Sequence, residues 1–545
     1  MNKTIKGFLW GVSSALATTA LVAATNDDFA RGKNLEIFFN VFREVNLSYV
    51  DKPDSEKMVR NALDGMLEQI DPYTTYMSEE DYAQFEELTT GEYAGIGAVI
   101  FKHVDSLYTE ISEVIQNSPA DKAGLVMGDR LLMVDTTNLK GLESSDISSL
   151  LRGNAGSQFT LKYRSLLTNE EKETIIKREI IHSNAVNYAG YINGTDGVGY
   201  INLSTFSDDC SSEVRAAIEK LKSEGELKSL ILDLRDNGGG VLQEAVNIVS
   251  LFVDKGTEVV SINGRSFKEP KVYKTLSEPI AKDIPLAVVV NGSSASASEV
   301  VAGALQDLDR ALIVGSQSYG KGLVQTPKEV GYGSVLKVTT AKYYTPSGRC
   351  IQAVDFSNRN EDGSVGSIPD SLRKEFKTVG GRTVLDGGGI TPDSLIKTKG
   401  YNRFVQNVAV TGTYLEEYVK EYYKNNQSKT DFENFSLTDS DLSDFATLLE
   451  ERNFKVISLT NYHIDKLKEA AKSEYYSSKI EKELEALEKK MELNIREDVE
   501  LNKQDLKLLI EMDILTAFKY KEGRVKHFAQ SDSLVKKTAM FLEQR

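Results

Sequence analysis

Leu286-Ala287-Val288-Val289-Val290, followed by Asn291-Gly292-Ser293-Ser294-Ala295-Ser296-Ala297-Ser298-Glu299, is the stretch on which the reading of this 545-residue chain turns. The apolar run has the length and composition of a strand buried on both faces, and the small-residue turn leads into a helix-like run, Val300 to Asp307. A second strand, Ala311 to Val314, feeds Gly315-Ser316-Gln317-Ser318-Tyr319-Gly320-Lys321-Gly322. A strand entering a serine-rich helix start points backbone N–H groups at whatever lies there, which suits a developing oxyanion. Ser296 is therefore a candidate nucleophile and Lys321 its candidate base.

Outward from that stretch, residues 185–400 alternate strand and helix, the pattern of an α/β domain. Val198 to Leu203 reads as a strand, Ser212 to Lys222 as an amphipathic helix and Ser229 to Arg235 as a buried strand. Asp236-Asn237-Gly238-Gly239-Gly240 then opens a helix from Val241 to Phe252. A glycine-rich turn between strand and helix lets backbone N–H groups approach a ligand closely. Beyond Leu395 charge dominates, and Ile480, Leu484, Leu487 and Met491 repeat at helical spacing. The region 401–545 is expected to be helical, with a solvated charged face and no activity that its sequence assigns.

Ahead of the α/β domain, residues 30–90 carry helical periodicity, with Leu35, Phe38, Phe39, Phe42 and then Val59, Leu63, Met66, Ile70 three and four apart. Asp71-Pro72 breaks the second helix. Such an amphipathic pair packs or dimerises. Residues 91–181 form a separate module: Gly91-Glu92-Tyr93-Ala94-Gly95-Ile96-Gly97-Ala98-Val99-Ile100, Ser118-Pro119-Ala120-Asp121-Lys122-Ala123-Gly124-Leu125 and Gly128-Asp129-Arg130-Leu131. The paired motifs resemble a PDZ domain. The resemblance implies that Gly95, Ile96, Gly97 and Ala98 present N–H groups to a peptide's terminal carboxylate while the peptide adds a strand to the sheet edge.

Composition narrows the function classes. The formal net charge of −16 argues against a nucleic-acid partner, which needs clustered basic surface. Lys3 and Lys6 precede a charge-free apolar run, Gly7 to Ala24, ending Val22-Ala23-Ala24. Residues 1–24 thus read as an export signal, either cleaved or kept as a membrane anchor. The two cysteines, Cys210 and Cys350, are too few for a disulfide framework or a zinc cluster; they pair or stand as isolated thiols.

Three chemistries compete for Lys321. A phosphate-binding loop is rejected, because Gly322 stands where Ser or Thr holds magnesium and Leu323-Val324-Gln325-Thr326-Pro327 does not open a helix. Ser318-Tyr319-Gly320-Lys321 fits the S-x-x-K of penicillin-binding enzymes, but neither S-D-N nor K-T-G occurs in the chain. The third pairs Ser296 with Lys321. All four histidines, His103, His182, His463 and His527, lie outside the α/β segment, so a serine nucleophile needs another base. A lysine desolvated among small neighbours can serve, since burial disfavours the ammonium and can lower its pKa by several units.

Taken together, Leu232-Asp233-Leu234-Arg235-Asp236-Asn237-Gly238-Gly239-Gly240, Ser294 to Glu299, Ala304-Leu305-Gln306-Asp307, Tyr319 to Gln325 and Lys342-Tyr343-Tyr344-Thr345-Pro346-Ser347-Gly348-Arg349 resemble the carboxyl-terminal processing (tail-specific) serine proteases. The likeness covers about residues 35 to 395. It implies a mixed α/β multidomain chain: a helical N-terminal segment, a PDZ domain, an α/β protease core of crotonase/ClpP-like type and a helical C-terminal tail. By that resemblance Ser296 is the nucleophile, Lys321 the general base and Gln325 the residue that orients it. The N–H groups of Gly239 and Ala297 form the oxyanion hole, each such donor worth roughly 3 kcal/mol in the transition state. Asp307 is read as structural support. Arg152 sits where some members couple the PDZ domain to the protease, and a solvated surface arginine is its equal rival. Gly238 in place of a common proline, Cys350 in place of a small residue, and an insertion over 354–386 are departures from the family pattern.

The expectation is an exported serine endopeptidase that captures accessible apolar C-termini of protein substrates and cuts peptide bonds with a Ser–Lys dyad. No cofactor or metal is implied. A periplasmic location follows, free or anchored in the inner membrane, with a homodimer as one assembly. The rival is a PDZ scaffold or chaperone that binds C-termini without cutting; an acyl hydrolase of small esters would have no use for a PDZ domain.

Overall fold

A computed structural model describes residues 29–544 apart from 104–105, 361–362, 397–399 and 492. The proposed export segment lies outside the described residues. Among the described residues no helix is long and apolar enough to cross a membrane.

The described residues divide into two compact units, one formed by residues 29–79 with Thr326–Val338 and the other by Glu80–Gln325 with residues 339–544. The first holds helices α1 (29–48) and α2 (Ser55–Glu68) and strand β1 (Thr75–Met77), which pairs antiparallel with Val335 to Lys337. Asp54 caps α2 through the N–H of Lys57. Beyond it Asp71 accepts the N–H groups of Tyr73 and Thr74, an aspartate turn that ends the helical pattern as Asp71-Pro72 predicts. Leu35, Phe38, Phe39 and Val41 of α1 are exposed.

In the second unit, helix α3 (Glu79–Thr90) leads into the PDZ module. Strand β2 (Glu92–Gly95) is followed by β3 (Ala98–Phe101), β4 (Glu110–Val114), helix α4 (Pro119–Lys122), β5 (Arg130–Val134), β6 (Thr137–Asn138), helix α5 (Ser144–Leu151), β7 (Gln158–Arg164), β8 (Glu171–Lys177) and β9 (Glu179–His182). The main sheet runs β3-β4-β5-β7-β8, with β6 on β5, while β2 pairs with β9. Strand β3 is therefore an edge, with α5 lying against it.

The α/β core is a six-stranded sheet. The elements between residues 186 and 344 in chain order are β10 (Val186–Tyr191), β11 (Val198–Leu203), α6 (Cys210–Glu224), β12 (Ser229–Asp233), α7 (Leu242–Val249), β13 (Glu258–Asn263), β14 (Lys271–Lys274), β15 (Leu286–Val290), α8 (Ala297–Asp307), β16 (Ala311–Gly315), β17 (Leu323–Gly331) and β18 (Ser334–Tyr344), of which β13, β14, β17 and β18 belong to a separate sheet and residues 326–338 to the first unit. Sheet order is β10-β11-β12-β15-β16, closed by the short strand Ser394–Leu395; β11 onward is parallel and β10 antiparallel. Alternate residues of each strand enter different cores. Leu286, Val288 and Val290 of β15 pack with residues of α6, α7 and α8, whereas Ala287 and Val289 face a second cluster. Every residue of β12 and β15 is buried, the signature of a parallel sheet covered on both sides.

The cover of the second side comes from the chain's end. Helix α9 (Arg403–Thr411) starts a domain continued by α10 (Thr413–Asn425), α11 (Asp439–Glu451), α12 (Leu459–Ser473), α13 (Ser477–Lys490), α14 (Ile495–Leu501), α15 (Lys503–Ser531) and α16 (Ser533–Glu543). Leu534, Val535, Ala539 and Leu542 of α16 and Ala529 of α15 pack on Tyr200, Ile231, Ala287 and Val289. The helical expectation for this region holds, but part of it is core as well as solvated face. The same domain grips the PDZ module: Lys420 bridges Glu110 and Glu416, His103 Nε2 lies 2.9 Å from Glu416, and the hydroxyl of Tyr520 donates to Asp121 at 2.9 Å. Cys210 and Cys350 are both free thiols, Cys210 buried in the core and its thiol pushed up by burial.

Candidate active site

Three loops leave the carboxyl ends of adjacent parallel strands β12, β15 and β16, where open α/β sheets place their sites. The first carries Asp236 to Gly240, the second Ser293 to Ser296 and the third Ser316 to Gly322. Ser296 is the N-cap of α8 and has φ 55° and ψ −113°, a sparsely populated conformation for a residue with a side chain. Such an outlier persists only when its surroundings over-determine it.

Here they do. The backbone carbonyl of Asn237 accepts the N–H of Ala295 at 3.0 Å and the hydroxyl of Ser298 at 2.8 Å, and Ser294 Oγ donates to the Leu234 carbonyl at 2.8 Å. These bonds tie the first loop to the second. Glu299, fully buried, ties the second to the third: its carboxylate accepts Ser296 N–H at 2.9 Å, Ser318 Oγ at 2.6 Å, Gly320 N–H at 2.7 Å and Lys321 N–H at 2.8 Å. Burial pushes the Glu299 carboxyl up from its ordinary value, against the pull of these donors. Ser296 and Lys321 therefore come from different strands yet have their backbones joined by one carboxylate. Both side chains are partly buried.

The residues proposed for the oxyanion hole also converge. A Cβ built on Gly239, whose φ is +97°, would lie 2.8 Å from Ser296 Cβ and 2.9 Å from Ala297 N, so only glycine fits. In this structure the Gly239 N–H donates to Asn237 Oδ1 at 2.9 Å. Ala297 opens α8, directly after the serine. Gly238 has open space around its Cα, consistent with a site where other side chains fit. Gln325, on β17, donates from Nε2 to Thr339 Oγ1 at 3.3 Å.

Asp307, at the end of α8, forms a buried ion pair with Arg349 at 2.8 Å and accepts the N–H of Ser347 at 3.0 Å. Arg349 also donates to Gln306 Oε1 at 2.7 Å. Burial holds the Arg349 guanidinium below its usual pKa, while Asp307 acts in the opposite sense. This pair buttresses the helix that carries Ser296. Upstream, Arg235 pairs with Asp233 at 2.6 Å and with Asp532 of the C-terminal domain at 3.2 Å, next to the turn that holds Gly239.

In the PDZ module, Gly95, Ile96 and Gly97 are buried at the start of edge strand β3. The Gly97 carbonyl accepts from Ser118 Oγ and Ile115 N–H, and a Cβ on Gly97 would meet Ser118 Cβ at 2.2 Å. Arg152 caps the far end of α5, with its guanidinium over the Tyr93 ring at 5.2 Å and paired with Glu87 of α3; its Cγ lies near Gly95. Its side chain is 38% exposed and paired with Glu87 beside the glycine loop.

Sequence reasoning missed how Glu299 and Asn237 tie the three loops together. Ser296-x-x-Glu299 is the spacing of a capping box, a signal that could have singled out Glu299.

These features describe a PDZ-bearing mixed α/β chain with a serine on a strained strand-to-helix turn. The model of peptidase family S41 matches residues 197–358, a PDZ-domain model 110–165, the model for a probable PDZ-protease C-terminal helical domain 406–542, and that for the activating protease CtpB N-terminal domain 7–81. A carboxy-terminal-processing protease of Bartonella bacilliformis is 36% identical over 359 residues, covering 65% of this chain and 81% of the relative. A probable CtpA-like serine protease of Staphylococcus aureus is 37% identical over 321 residues, 58% of this chain and 62% of the relative. Among solved structures, a photosystem II D1 C-terminal processing protease shares 28% identity over 66% of this chain and 92% of its own, with a TM-score of 0.34. The chain belongs to peptidase family S41, the carboxy-terminal-processing serine proteases that carry a PDZ domain.

Proposed function

We propose that this chain is an exported endopeptidase that takes protein substrates by an accessible apolar C-terminus and cleaves them with a Ser296–Lys321 dyad. The observation that carries the reading is the Glu299 carboxylate, which joins the backbones of Ser296 and Lys321 across two loops while Ser296 stands strained at the start of α8. A joint of that kind suits a pair that must keep hydrogen-bond reach during reaction.

In this mechanism neutral Lys321 takes the Ser296 Oγ proton as Oγ bonds to the scissile carbonyl carbon. The oxyanion is stabilised by the N–H groups of Ala297 and Gly239, the latter yielding or sharing its bond to Asn237. Collapse breaks the C–N bond, and the leaving amine receives the proton from the Lys321 ammonium. Water then hydrolyses the acyl-enzyme ester, with Lys321 again as base and Gln325 orienting it. The substrate's terminal carboxylate binds the N–H groups of Gly95 to Ala98 as its chain adds to the free edge of β3. Arg152, beside Gly95 and tied to Glu87, reports occupancy of that loop. Residues 1–24 direct export to the periplasm and anchor the chain where they are retained, and the exposed apolar face of α1 meets a second copy.

Digestion of a loosely folded protein with an apolar C-terminal tag tests the reading. The parent should cut it, and Ser296→Ala should lose at least about 10⁴-fold in kcat while still binding the tag. If the parent binds the tag without cutting, the scaffold reading replaces this one.

A further inference from the structure

Tyr343 is 2% exposed and among the largest fully buried side chains of the molecule. It lies near the end of β18, where its own N–H donates to the Gly322 carbonyl at 3.1 Å. Its hydroxyl sits between two backbone carbonyls: it donates to that of Lys321 and lies 3.2 Å from that of Ser296. Glu299 meanwhile holds the N–H groups of the same two residues. At both Ser296 and Lys321, then, the N–H is bonded to Glu299 and the carbonyl faces Tyr343. The strand's alternation turns Tyr344 to the other face, so only the first tyrosine of the pair can reach them.

We propose that Tyr343 is a positioning residue for peptide-bond cleavage, its hydroxyl fixing the separation of the Ser296 and Lys321 backbones. The inference rests on the dyad reading above. Two loops leaving neighbouring strands have no intrinsic reason to hold a side-chain pair to within a fraction of an ångström, and a misplacement of about 1 Å can cost about 100-fold in rate. One hydroxyl proton shared between two carbonyls supplies a bond that neither loop makes for itself. The strained turn at Ser296 adds to the need, since a side chain in that conformation relaxes once its ties are cut.

The experiment compares full-length parent, Tyr343→Phe, Tyr191→Phe and Lys321→Ala on the tagged protein substrate, recording kcat and KM across pH with thermal unfolding of each. Tyr191→Phe is the control, because its hydroxyl donates to the Leu221 carbonyl at 2.7 Å, a comparable bond on the outer strand β10. Tyr343→Phe should keep KM, lower kcat by about 10- to 100-fold and displace the pH at which kcat rises, whereas Tyr191→Phe should keep the parent's kcat and profile. Installing 3-fluorotyrosine at position 343, which retains the hydroxyl, should return kcat to within about twofold of the parent; if Tyr343→Phe folds poorly, 4-fluorophenylalanine, which fills the hydroxyl's space with no proton to donate, takes its place and should show the same loss of kcat. A Tyr343→Phe enzyme with parent kcat and pH profile overturns the inference, as does a failure of 3-fluorotyrosine to restore kcat. If Lys321→Ala cuts at the parent rate, the dyad reading itself falls. If Lys321→Ala is inactive while Tyr343→Phe matches the parent, only the role of Tyr343 falls.

Discussion

Leu286, Val288 and Val290 on one side of β15, and Ala287 and Val289 on the other, are equally buried but by chain segments of different origin. The first face is closed by α6, α7 and α8, helices that the chain lays down between its own strands. The second is closed by the end of α15 and by α16, from the far end of the sequence. The loops of the candidate site belong to the first face: Ser296 is the residue from which α8 starts, and Asn237 and Gly239 lie in the turn that precedes α7. A helix that both packs on a sheet and begins at its carboxyl edge can carry chemistry. A helix that arrives only to cover cannot, unless it reaches round to the edge. α15 and α16 make one such approach, through Phe528 and Asp532 on Arg235.

Three substitutions sharpen the contrast. The largest effect is expected for Asp307→Ala on the first face, which strands Arg349 without its buried partner. A loss of about 3–5 kcal/mol follows, read as a fall in unfolding midpoint, and activity should fall with it because α8 carries Ser296. Next is Leu534→Ala on the second face: about 2–5 kcal/mol from lost burial and cavity, with kcat of the folded fraction unchanged. A large kcat effect there would show that the covering helices act on the site. Smallest is Asp532→Ala, which removes the N-cap of α16, where Asp532 Oδ1 accepts Val535 N–H at 2.8 Å, and one partner of Arg235. It should cost about 1–2 kcal/mol in denaturant titration. Because Arg235 keeps Asp233, kcat should change less than about threefold.

The same contrast explains what the sequence disclosed. The first face was legible because its strands are unbroken apolar runs, its turns are glycine- and serine-rich, and its helices follow at the spacing of βα units. Position in the chain is enough to place Ser296, Gly239 and Lys321 at one edge, once β12, β15 and β16 are parallel neighbours. The second face was not. Leu534, Val535, Ala539 and Leu542 have the spacing of any amphipathic helix, and nothing in that spacing says which surface they cover. Partners far apart in sequence were hidden for the same reason. Tyr343 stands inside the motif Lys342 to Arg349 with nothing to mark it out, and its hydroxyl meets the carbonyls of Ser296 and Lys321 only in the folded chain. The bond from Gly239 N–H to Asn237 depends on the rotamer of one buried amide, a detail that residue type does not encode. The strand Thr75–Met77 escaped because it is short and pairs with Val335 to Lys337, distant in the chain.

Whether Lys321 activates Ser296 is measured most directly by the rate at which a fluorophosphonate labels Ser296 in the full-length parent and in Lys321→Ala. The reagent needs an activated serine but no PDZ ligand, so it separates nucleophile chemistry from substrate capture. The parent should label at Ser296, located by peptide mass, with a rate that rises with pH as a basic group loses its proton. Folded Lys321→Ala should label at least about 100-fold more slowly at every pH. Labelling of Lys321→Ala at the parent rate, with the same pH profile, would contradict it.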